Sequence, residues 1–78
     1  MTKPITPAPQ PAYTAVIKHD GGWWIGWIEE IPGVNCQEVS REDLIVSLRH
    51  ALEEALNFNR QDARTAAGRD YSEIKIDL

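Results

Sequence analysis

Cys36, His19 and His50 are the residues whose types could combine into covalent chemistry, a cysteine nucleophile activated by an imidazole base. Such a pair needs hydrogen-bond reach, and Cys36 sits in the middle of "VNCQEV", a strand-like pattern in which a lone cysteine behaves as a small buried hydrophobe. His50 lies between Arg49 and Ala51 in a helical stretch, His19 lies at a turn, and neither has a second ligand at metal-binding spacing. Glu29 and Glu30 are adjacent, so on a strand they point to opposite faces and cannot share a proton-transfer task. Gly21, Gly22, Gly26 and Gly33 form no phosphate-cradling loop, because the one well-capped helix starts at Ser40 with no glycine beside it. The expectation is a protein without catalytic residues, metal or cofactor.

The chemistry left is that of binding. Trp23, Trp24 and Trp27 fall together in "GGWWIGWI". Aromatics on a sheet can stack on single-stranded nucleic acid, but that platform comes with a basic groove. Here eight basic residues face twelve acidic ones, a formal charge of −4, and the Lys and Arg residues are scattered. Direct DNA or RNA binding is therefore not expected. Tryptophan also dominates protein interfaces, where each large aromatic buries roughly 150–250 Å². An acidic chain suits a basic protein partner, because complementary fields speed encounter. The candidate interface residues are Trp23, Trp24 and Trp27 for buried area, with Glu29, Glu30, Glu53 and Glu54 for charge.

The elements that must position these residues are readable. Pro4, Pro7, Pro9 and Pro11 make residues 1–12 an extended tail with no core role, and one domain is expected over residues 13–78. "YTAVIK" is a strand ending in the turn cluster "HDGG", where Asp20 and Gly21 are expected to take the positive φ of a tight hairpin. The second strand, "WWIGWI", sets Trp23, Ile25 and Trp27 on one face and Trp24, Gly26 and Ile28 on the other. Both faces are apolar, which predicts a helix over one and another chain over the other, hence a homodimer or larger assembly. "IPGV" interrupts the strand, and Val34–Val39 reads as a third.

Ser40 opens "SREDLIVSLRHALEEAL" as an N-cap with Asp43 at the capping-box position. Leu44, Leu48, Leu52 and Ala55 or Leu56, widened by Ile45, form one apolar stripe, while Arg41, Glu42, Arg49, Glu53 and Glu54 fall on the solvated side. Gly68 is the expected stop, with the helix ending between residues 60 and 67. In "YSEIKIDL", Ile74, Ile76 and Leu78 alternate with Glu73, Lys75 and Asp77, the pattern of a half-buried edge strand. The predicted fold class is α+β in the order β-β-β-α-β, a small antiparallel-rich sheet with one main helix packed on one face. No segment approaches the length of a bilayer span, the N-terminus lacks an apolar signal core, and the lone Cys36 suits a reducing compartment, so the cytoplasm is expected.

Residues 13–56, "YTAVIKHDGGWWIGWIEEIPGVNCQEVSREDLIVSLRHALEEAL", resemble the HicB-like antitoxin family in their strand, Gly-Trp hairpin, acid two residues ahead of "PGV", further strand and Ser-capped helix with an acidic first turn. The closing "EIKI" is also similar. The resemblance implies a partial ribonuclease-H-like layout and an antitoxin that covers the active surface of HicA, a small basic toxin that cleaves messenger RNA. Fuller members of that family carry a C-terminal DNA-binding domain, for which the residues after the helix leave no room, so DNA binding is not carried over. Nuclease activity is not carried over either, because the metal-binding acidic cluster of ribonuclease H has no counterpart. The competing expectation is an orphan structural or regulatory module that only self-associates, and a third is a small enzyme built on Cys36.

Overall fold

The computed structural model describes residues 12–77. The Pro-rich tail up to residue 11 and Leu78 of the expected closing strand lie outside the described residues. Strands β1 (Ala15–Asp20), β2 (Trp23–Ile28) and β3 (Asn35–Glu38) precede the helix α1 (Arg41–Ala67). The strands form an antiparallel meander in the order β1-β2-β3.

The hairpin between β1 and β2 turns on two glycines. Gly21 (φ 58°) and Gly22 (φ 87°) both occupy the left-handed region, as a two-residue turn matched to strand twist requires. The turn thus lies one residue later than expected, with Asp20 closing β1 opposite Trp23. After Ile28 the chain loops through Pro32 and Gly33, and the Ile28 N–H donates to the Val34 carbonyl at 3.1 Å to start β3.

The helix begins and ends where its caps dictate. Ser40 is extended (φ −132°, ψ 156°), its Oγ accepts from the Asp43 N–H at 3.1 Å, and Glu42 and Asp43 place negative charge at the positive end of the dipole. At the other end, Gly68 adopts φ 75° and gives its N–H to the Arg64 carbonyl. Between the caps run 27 residues, a rod of about 40 Å against about 20 Å for a six-residue strand. Only its first half meets the sheet.

Leu44 and Leu48 are 0% and 2% exposed and form the core with Ile28 and Val34. Ala51, Leu52 and Ala55 continue the contact, and from Asn57 to Ala67 every helical residue is exposed. The helix lies over β2 and β3 rather than β1. Ser47 Oγ donates to Glu38 Oε1 at 2.8 Å and fixes the helix to the outer strand.

The expected fourth strand is corrected by the structure. Residues 71–77 join no ladder, and Ile74 and Ile76 are 79% and 78% exposed, so the described order is β-β-β-α. The physical reason is the length of α1, which projects beyond the sheet before Gly68 and Asp70 (φ 57°) reverse the chain. The returning segment then lies along the projecting turns, tied by Arg64 Nε donating to Glu73 Oε1 at 2.6 Å.

Candidate protein-binding face

Parity along β2 divides the tryptophans. A Cβ at Gly26 would lie 3.0 Å from Leu48 Cδ1, so Gly26 faces the helix, and with it Trp24 and Ile28. Trp23, Ile25 and Trp27 therefore line the opposite face. No element of the described residues covers that face, and Trp23 and Trp27 remain 45% and 41% exposed. Neither is fully exposed, because cross-strand neighbours shield the lower part of each ring.

Register supplies those neighbours. Trp27 lies between Val16 of β1 and Asn35 of β3, Ile25 between Lys18 and Gln37, and Trp23 beside Asp20. The face is thus an aromatic and aliphatic stripe along β2, flanked by Val16, Lys18 and Asp20 on the β1 side and by the amides of Asn35 and Gln37 on the β3 side. This is the composition of an interface core with a polar rim. The margin residues were not readable from the sequence, because face membership depends on register, and register was not available before strand pairing was known.

Trp24 takes a different role. It packs against the core on the helix side, and its ring stacks on His19 at 4.8 Å between centroids and 12° between planes. Its register partner is His19, so the stack is a cross-strand pair that stabilises the hairpin. The small residue at position 26 was the available signal for this division, since a strand glycine marks close approach of another element.

The acidic candidates are scattered around the molecule. Glu29 and Glu30 are exposed at the end of β2, next to the stripe. Glu30 Oε1 accepts from the Thr14 N–H at 2.8 Å, and that backbone hydrogen bond holds its carboxyl below the usual range. Glu53 and Glu54 are exposed on α1, where with His50, Asn57, Phe58 and Gln61 they line an open groove of about 430 Å³. The helix and the stripe lie on opposite sides of the sheet, so Glu53 and Glu54 are not brought together with Trp23 and Trp27.

Cys36 is half-buried against the core beside Gly26, and burial, followed by the charge of Glu38, pushes its thiol up. His19 lies two strand spacings away, about 9.6 Å across the sheet, and further along it, so the two cannot share a proton. His50 is exposed on the helix. Among the described residues no three His, Cys, Asp or Glu side chains gather in metal-binding fashion, and no helix is long and apolar enough to cross a membrane.

The chain was compared with family models, curated proteins and solved structures, and none of them matches it.

Proposed function

We propose that this protein is an antitoxin-like binder that neutralises a small basic toxin of the HicA type by covering its active surface. The observation that carries the reading is the open stripe of Trp23, Ile25 and Trp27. Two half-exposed tryptophans around an isoleucine, rimmed by polar side chains, form a ready binding core, because such rings supply large area at little entropic cost. Glu29 beside the stripe and the net charge of −4 suit a basic partner. The resemblance of residues 13–56 to HicB-like antitoxins narrows the partner to an RNA-cleaving toxin.

The mechanism is occlusion. A basic nuclease presents cationic side chains to RNA phosphates, and an acidic protein seated on that surface competes for the same charges while excluding substrate. On this reading the chain acts in the cytoplasm, performs no catalysis and contacts no nucleic acid itself.

The test is isothermal titration against the product of the neighbouring reading frame, in an inactivated form if that product is toxic, with RNA cleavage assayed for the active form. Binding together with loss of cleavage is the expected result. Absence of both heat and inhibition would move the function to the second reading, an orphan self-associating module, which the exposed Ile74 and Ile76 independently favour.

A further inference from the structure

Residues 72–77, "SEIKID", have the alternation of a half-buried strand, yet in this chain they join no ladder and are exposed. The sheet has a matching vacancy in its ladder. Glu29 N–H donates to the Thr14 carbonyl, so residues 14, 16, 18 and 20 direct their backbone groups to β2. Ala15, Ile17 and His19 direct theirs outward, and among the described residues nothing pairs with them. Because α1 lies over β2 and β3, the helix-side shelf next to β1 is left to the half-buried Tyr13 and Ile17.

We propose that the segment Ser72–Asp77 is an arm that adds to the β1 edge of a second copy of this chain, in a reciprocal two-fold exchange. Length favours β1 over the other edge, six residues against four in β3. An opposite-charge pair favours one register. In the antiparallel sense, Ile74 opposite Ile17 sets Ile76 opposite Ala15 on the helix side and Glu73 opposite Lys18 on the stripe side. A slip of two residues that sets Ile76 opposite Ile17 puts Lys75 against Lys18 and Glu73 against Asp20, both repulsive, and a slip of one turns Glu73 and Lys75 onto the shelf beside Ile17.

A second copy is the occupant because the arm is anchored away from its own β1. It lies along the turns from Arg60 to Ala67, beyond the last core contact of the helix at Ala55. Among the described residues its tie is an exposed ion pair, Arg64–Glu73, and such a pair gives way readily. Exchange removes two liabilities together, an open sheet edge and two exposed isoleucines, and closes as a dimer. It uses the edge of β1, so it stands or falls independently of what binds the tryptophan stripe.

The experiment mixes two variants in equal amounts under oxidising conditions, Lys18→Cys and Glu73→Cys, each also carrying Cys36→Ser. Positions 18 and 73 would form a non-hydrogen-bonded pair with Cα atoms about 4.5 Å apart, within disulfide range. A disulfide joining the two different chains in high yield is expected, together with a dimer mass for the unmodified protein by light scattering that Ile74→Asp with Ile76→Asp converts to monomer without loss of helical circular dichroism. A chain carrying both cysteines that closes on itself as a monomer would show that the arm folds back onto its own sheet, and the proposal would be wrong. Free thiols in the mixture would overturn it equally, whatever the titration against the neighbouring product gives.

Discussion

A methyl group at Gly26 would sit 3.0 Å from Ile17 Cγ2, 3.0 Å from Leu48 Cδ1 and 3.1 Å from the Val16 carbonyl oxygen. The two side chains can shift a little, but the carbonyl belongs to a paired strand and cannot. Gly26→Val is therefore expected to destabilise the fold by about 1–3 kcal/mol, the usual cost of overpacking, even though glycine is a poor strand residue. Urea unfolding checks it, and a variant as stable as the parent would mean that the helix sits further from the sheet. This residue also explains what could and could not be read beforehand. The alternation of Trp23, Ile25 and Trp27 with Trp24, Gly26 and Ile28 was plain in the sequence, but with both sets apolar the pattern did not say which one the helix covers. Cys36, in register with Gly26, carries a related prediction. Its thiol is pushed up by burial and by Glu38, so alkylation at pH 8 should be slower than for an unstructured cysteine and should accelerate on unfolding.

Local signals made α1 readable at both ends. Ser40 and Gly68 act through bonds to residues three and four positions away, and such contacts are encoded within one turn of chain. Ser40→Ala should cost about 1 kcal/mol by thermal or urea denaturation, since it leaves the Asp43 N–H without its side-chain acceptor. The last element was misread for the converse reason. Period-two alternation at Ile74 and Ile76 reports a tendency to be half-buried in a sheet, but a strand exists only when a partner completes its ladder, and no local pattern names the partner. The segment's tie to the helix has a definite pH signature. Arg64, by its hydrogen bond and its charge, holds the Glu73 carboxyl below the usual range. A depressed folded pKa means that the pair contributes above the unfolded value, near 4.5, and is lost as pH falls through the lower folded value. While the segment lies along its own helix, the Glu73 carboxyl resonance should titrate with a midpoint below that of a free glutamate, and Arg64→Gln should move it back toward the ordinary value.

For the whole molecule, the fold places the core on one side of a thin sheet and leaves the other side, the one proposed for binding, open. Trp24 belongs to the helix side and Trp23 and Trp27 to the open side. Trp24→Ala should thus cost about 3 kcal/mol or more of folding free energy, as large-to-small changes at packed aromatics do. Trp23→Ala and Trp27→Ala should cost less in folding and more in binding, about 2 kcal/mol or more each if they are the anchors of the interface. Charge and area also separate kinetically. In the proposed complex, loss of either open-side tryptophan would remove contacts made only in the bound state, so it should appear as faster dissociation from the partner. Glu29→Lys alters the long-range field, so it should slow association at low ionic strength, and the difference should shrink as the screening length falls to about 8 Å at 0.15 M salt. Glu29 is the cleaner position for this measurement, because Glu30 also holds the Thr14 N–H and its replacement would disturb the start of β1. Stopped-flow association at two salt concentrations distinguishes the cases. An association rate for Glu29→Lys equal to the parent's at low salt would remove the acidic turn from the encounter and leave partner choice to the aromatic stripe.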